Sequence, residues 1–164
     1  MDLNEFNRLP ADDARTALRP CLDVDRWIDG VVEARPYPDA ESAVEAARTS
    51  ANPLSDDEIN QAMSHHPRIG EKSKGSGAEA AHSSREQAGL GALGGDVQKR
   101  LAAGNAAYEE RFDRVFLIRA AGRDPEEILG ELNRRMANTA ADELAEVGEQ
   151  LIQIAALRLE GLLV

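Results

Sequence analysis

Apolar residues recur at three- and four-residue spacing along most of the chain, the repeat that stacks side chains on one face of an α-helix. The pattern predicts helices over residues 11–21, 23–34 and 39–49, and Pro36 and Pro38 separate the second from the third. Ser55-Asp56-Asp57-Glu58 has the spacing of a capping box, which opens a short helix running to about Ser64. Farther on, Val97, Leu101, Tyr108 and Phe112 fall on one stripe of a helix over about 97–112, with Asn105 on the same stripe and Asp96 as its expected cap. Asp124-Pro125-Glu126-Glu127 reads as a helix start: a capping Asp, Pro at the first helical position, and acids in the first turn. That helix should end near Asn138. Thr139 and Asp142 suggest another capping box, opening a last helix to about Leu162.

The middle of the chain lacks this period. From Gly70 to Ser84 it is rich in Gly, Ser, Lys and Glu and reads as a loop; Gly89, Gly91, Gly94 and Gly95 form a second break. Val115-Phe116-Leu117-Ile118 is the single β-like run, and with no partner strand it is expected to be a buried extended segment between helices. The expected fold is therefore all-α: one compact domain over residues 1–164, a bundle of about seven to nine helices with one short extended segment.

Composition narrows the functional classes. With 164 residues there is room for one domain with a substantial core. Aromatics make up only 4%, so the core must be built from aliphatic side chains, which favours packed helices. A net charge of −11 argues against nucleic acid and opposes long-range steering of an anion, so any anion site must be a local cluster of positive groups. The cations are three Lys against sixteen Arg, and a guanidinium forks onto carboxylates and imides better than an ammonium does. Cys21 is the single cysteine, no signal-peptide pattern opens the chain, and no apolar run approaches a membrane span. A soluble, cytoplasmic protein is expected.

Four places could carry chemistry. His66 precedes Pro67, which places it at a helix end, where an imidazole can titrate near neutrality; a surface histidine is the plain alternative. Ser83 and Glu86 lie three apart and would share a helix face with Gln87 alongside, or simply form another cap. On the last helix Leu144, Val147, Leu151 and Ile154 form an apolar stripe whose next member is Arg158. Arg158 either snorkels out at the helix end or points into a site that holds an anion. Arg119 follows Ile118 and precedes Ala120-Ala121-Gly122, where small residues leave backbone groups approachable to a flat amide-bearing ring. His65, His66, His82 and Glu86 do not have the one-turn spacing of a zinc helix, so no dedicated metal site is expected.

In order and spacing, these segments resemble the OHCU decarboxylase family (2-oxo-4-hydroxy-4-carboxy-5-ureidoimidazoline decarboxylase). The resemblance runs through Phe6-Asn7, Trp27, Arg35-Pro36-Tyr37, His66-Pro67-Arg68-Ile69-Gly70 and Ser83-x-x-Glu86-Gln87-Ala88-Gly89-Leu90. It continues with Asn105-x-x-Tyr108-x-x-x-Phe112, Phe116 to Gly122, Arg135-x-x-Asn138, Glu143 and Leu157-Arg158-Leu159. Gly104 stands where a larger apolar residue is common, and Arg119 where other members have Cys. The resemblance implies an all-α homodimer that needs no metal and no organic cofactor, and that decarboxylates an anionic ureidoimidazoline of urate breakdown to (S)-allantoin. It makes His66 and Glu86 the catalytic pair. Pro67, Ser83, Gln87, Arg158 and the backbone around Ile118, Arg119 and Ala120 would hold the substrate. Two other readings of the residues stay open: a hydrolase of a ureide or related purine product in which His66 activates water, and a helical interaction module without catalysis.

Overall fold

The computed structural model describes residues 1–64, 66 and 95–164, and all regular structure among them is helical. Eight helices follow one another: α1 (Leu3–Arg8), α2 (Ala11–Leu18), α3 (Asp25–Glu33), α4 (Ala40–Thr49), α5 (Asp56–Met63), α6 (Gly95–Phe112), α7 (Pro125–Arg135) and α8 (Ala140–Leu162). The expected all-α class holds, with eight helices and no strand among the described residues. The expected loop over 70–84 and Gly89, Gly91 and Gly94 of the expected glycine break lie outside the described residues, while Gly95 of that break is the first residue of α6.

Local chemistry explains most helix ends. The first N–H groups of a helix have no partner within it, and a short polar side chain just before them supplies one. Asp39 accepts from the Ser42 amide, Asp124 from the Glu127 amide, and Thr139 from the Asp142 amide. Ser55 and Glu58 make the reciprocal box read from the sequence. Several ends differ from expectation: α3 begins at Asp25 rather than residue 23, and α7 stops at Arg135 rather than near Asn138. Helix α2 stops at Leu18 because Pro20 has no N–H for the Thr16 carbonyl. Helix α6 begins at Gly95, so Asp96 lies in its first turn, favourable to the helix dipole without being the cap. Helix α1 went unforeseen, although Asp2 and Glu5 form a complete capping box there.

The described chain divides into two compact units, Met1–Ala62 with Leu151–Val164, and Met63–Gln150. In the first, α2 packs on α3 and α3 on α4. Helix α3 buries Trp27, Ile28, Val31 and Val32, a one-sided stripe, and the Trp27 indole N–H donates to the Ala47 carbonyl at 2.8 Å. Three residues of the family pattern turn out to be architectural. The Asn7 amide exchanges two hydrogen bonds with the Tyr37 backbone (2.9 and 3.0 Å), fixing the chain after the cis Arg35–Pro36 peptide. Arg35 donates to the carbonyls of Phe6, Leu9 and Val32, satisfying the open end of α1, while its guanidinium lies 5.5 Å from the Phe6 ring centre.

Arg26 forks onto Glu58 (2.8 and 3.1 Å) and also reaches the Pro53 carbonyl, tying α3 to the start of α5. Arg26, followed by backbone and side-chain bonds from Ser55, holds the Glu58 carboxyl at a pKa of about 2, below its ordinary 4.5. A depressed carboxylate stabilises the fold above its unfolded pKa, and that contribution fades as pH falls towards the folded value. Because Arg26 is half exposed, solvent screening keeps the contribution near 1 kcal/mol. Glu58→Gln should therefore lower unfolding free energy by about 1 kcal/mol at pH 7. The gap should shrink from pH 4.5 downward in urea titrations, and a gap that widens on acidification would contradict the assignment.

The second unit centres on α6 and α7. Leu101 and Tyr108 of α6 meet Ile128, Leu129 and Leu132 of α7, and Phe116, Ile118 and Ala120 of the intervening segment complete the core. Phe112 and Phe116 flank Tyr108, with ring centres 4.8 and 5.1 Å away. The unexpected Gly104 also finds its reason: a Cβ there would sit 3.1 Å from both Leu132 methyl groups. A larger residue would force the two helices or the Leu132 side chain to move.

Candidate functional site

Residues 115–120 have no regular structure and run between α6 and α7 with Phe116, Leu117, Ile118 and Ala120 buried, matching the expectation of a buried non-helical link. A buried backbone without helix or sheet must find other partners. Arg135 donates to the Leu117 carbonyl at 2.7 Å, and the Arg119 N–H donates to Oε1 of Gln150 at 2.8 Å. Arg123 gives its side-chain Nε–H to the Arg119 carbonyl (3.0 Å) and its backbone N–H to the Ala120 carbonyl (3.1 Å). Arg119 itself reaches the Ala121 carbonyl (2.8 Å), and Gly122 closes the turn at φ +79°, a conformation that favours glycine. The N–H and C=O of Arg119 itself thus both bond within the protein. The segment is a strip braced by hydrogen bonds from within the protein.

Behind that strip lies a buried ion pair. Arg135 and Glu143 are each 1% exposed, and Glu143 Oε1 accepts from Nε (2.8 Å) and Nη2 of Arg135 and from the Tyr108 hydroxyl (2.6 Å). Its other oxygen accepts from Asn138 at 3.0 Å. The Arg135 guanidinium also lies over the Phe116 ring, 4.6 Å from its centre. Burial, then the adjacent Glu143, pushes the Tyr108 phenol well above its ordinary range, which keeps it a neutral donor. With hydrogen bonds from three side chains, Glu143 meets the condition under which a buried charge is tolerated.

His66 is half-buried and lies outside regular helix, past the last residue of α5, with its backbone N–H on the Met63 carbonyl at 3.2 Å. That is the helix-end position expected ahead of Pro67. Arg158 is 3% exposed and donates to the Pro20 carbonyl at 2.8 Å within the first unit. It therefore does not snorkel into solvent. Ile118 and Ala120 are buried in the strip of the second unit, and Arg119 is half-buried. Pro67, Ser83, Glu86 and Gln87 lie outside the described residues, as do His65 and His82. Among the described residues no group of three or more His, Cys, Asp or Glu could hold a metal ion, and no helix is long and apolar enough to cross a membrane.

Sequence reasoning did not foresee what Glu143, Arg135 and Gln150 do. The signal was present for two of them. The apolar stripe of α8 extends back from Val147 to Glu143, so the rule that singles out Arg158 singles out Glu143 as well. On α7 the stripe Ile128, Leu132 leads to Arg135 in the same way. Gln150 carried no such mark.

Among the described residues, helices joined by an irregular strip that a buried Arg–Glu pair braces define the class of scaffold. The comparisons then fix the family: the model described as OHCU decarboxylase matches residues 7–160, and the chain belongs to that family. A human relative, provisionally named 2-oxo-4-hydroxy-4-carboxy-5-ureidoimidazoline decarboxylase, is 37% identical over 100 residues, 60% of this chain and 58% of its own. The chain thus spans less than two thirds of that relative. The protein of that name from Haloferax volcanii is 25% identical over 161 residues, 97% of this chain and 94% of its own. Among solved structures, an OHCU decarboxylase crystallised in the presence of (S)-allantoin superposes with a TM-score of 0.67 at 23% identity, covering 88% of this chain and 95% of that one. That likeness establishes a shared fold.

Proposed function

We propose that this chain decarboxylates 2-oxo-4-hydroxy-4-carboxy-5-ureidoimidazoline to (S)-allantoin in urate degradation. The observation that carries the reading is the family match over residues 7–160, which runs through both compact units and supports residues 1–164 working as one domain. The substrate carboxylate sits on a carbon next to a C=N bond. When the C–C bond to CO₂ breaks, its electron pair flows into that π-system, and one proton delivered to one face yields the product. The enzyme needs to hold the ring, orient the departing carboxylate across the π-plane and supply that proton.

His66, coupled to Glu86, handles the proton in this scheme. Pro67, Ser83 and Gln87 fix the ring together with the strip at Ile118, Arg119 and Ala120, and Arg158 meets anionic charge. Two features support these roles: a half-buried imidazole past a helix end, and a guanidinium withdrawn from bulk water. Binding an anion is compatible with the net charge of −11 only through such local cations. The reading includes a homodimer, a cytoplasmic location and chemistry without metal or organic cofactor, supported by family membership and by the ease with which the substrate's own π-system accepts the electrons.

The test is to add the purified protein to freshly oxidised urate and follow (S)-allantoin by circular dichroism. Faster appearance of one enantiomer than in the spontaneous reaction is expected. A racemic product at the uncatalysed rate would overturn the proposal, and ureide cleavage without CO₂ release would point to a hydrolase instead.

A further inference from the structure

The strip at residues 117–121 depends on side chains that lie outside it, and one of them, Gln150, has no chemical role in the scheme above. Gln150, half-buried on α8, accepts the Arg119 N–H at 2.8 Å. This bond fixes the peptide between Ile118 and Arg119, and with it the direction of the Ile118 carbonyl, because a peptide unit is planar. From the other side, Arg123 holds the Arg119 carbonyl and so fixes the next peptide, the one whose N–H belongs to Ala120. Arg135 anchors the strip one residue earlier, at the Leu117 carbonyl.

We propose that Gln150 is a positioning residue for substrate binding: by holding the Arg119 amide it aims the backbone groups of Ile118 and Ala120 at the bound ring. The inference rests on the function proposed above. Its physical basis is preorganisation. An irregular strip that could rotate its peptides would have to be ordered each time a ligand bound, and that ordering would be subtracted from affinity. Gln150 removes the freedom in advance. Because the aimed groups contact the ring before, during and after decarboxylation, they bind ground state and transition state about equally. Losing them should appear in KM, with kcat little changed.

A structural role alone makes a different signature. If substitution merely unfolded a fraction of the molecules, the surviving enzyme would keep its KM and only apparent kcat would fall. Gln150→Met, similar in length and lacking the amide acceptor, separates the two. The expected result is a KM about 10-fold higher with kcat within about threefold of wild type, the size of effect that ground-state binding contacts supply. A parallel measurement needs no substrate: amide hydrogen exchange at Arg119 should accelerate about 10-fold or more, while exchange in the α6 core stays unchanged. An unchanged KM, or a loss confined to kcat, would overturn the positioning role. Absence of turnover in the wild type would instead sink the proposed function, and the exchange measurement would still report on the Gln150 bond.

Discussion

His66→Asn is expected to slow enzymatic formation of (S)-allantoin by about 10²–10⁴-fold, the range that general acid–base assistance usually supplies. Asparagine approximates the size of the imidazole and can still donate a hydrogen bond, but it cannot carry a proton to carbon at neutral pH. The local fold should survive, because the contact with the Met63 carbonyl uses the backbone N–H, which the substitution keeps. Thermal unfolding should therefore stay within a few degrees of wild type, on the scale of an ordinary surface or half-buried change. The variant should still bind (S)-allantoin, since the ring is held by other groups. Two measurements settle the matter together: the rate and handedness of product by circular dichroism, and product affinity by calorimetry. Near-wild-type production of the single enantiomer would remove His66 from the proton step. Loss of both turnover and binding, with melting unchanged, would make it a binding group.

How much of this was legible in the residues differs by level. Helix positions follow from apolar period and capping chemistry, both local, so Ser55, Asp124 and Thr139 could be read as helix starts from the sequence and act as such. Apolar spacing carries the expected α2 to Cys21, while the hydrogen-bond ladder fails earlier at Pro20. Tertiary roles were less visible. Asn7 and Tyr37 are thirty positions apart, and nothing in either neighbourhood says that one amide will clamp the other's backbone. Arg158 stands out in the sequence because a cation interrupts an apolar stripe, and it is buried. The same logic applied one step earlier would have found Glu143. Gln150 could not be found this way: a neutral amide at the edge of a stripe violates no pattern, and its task depends on a strip of backbone that only folding brings near. The Pro67, Ser83, Glu86 and Gln87 assignments rest on the family pattern alone.

The largest effect on stability should come from the buried pair. Glu143→Ala is expected to cost about 3–5 kcal/mol, because it strands the Arg135 guanidinium and the Tyr108 hydroxyl in a region neither can leave. Against a typical total of 5–15 kcal/mol that is a large share, and at about 2–4 °C per kcal/mol the melting temperature should drop by roughly 6–20 °C. Removing both charges behaves differently. In Arg135→Met with Glu143→Leu, no stranded charge remains and apolar groups fill similar volume, so much of the stability should return. The Leu117 carbonyl, however, loses its donor, and the strip loses its first anchor. The double variant is therefore expected to melt well above Glu143→Ala while binding (S)-allantoin more weakly than wild type. Melting curves and calorimetry on the three proteins test this. If the double variant melts no higher than the single, the pair matters through shape rather than charge. If it binds (S)-allantoin as wild type does, the strip holds its form without Arg135, and the buried pair serves stability alone.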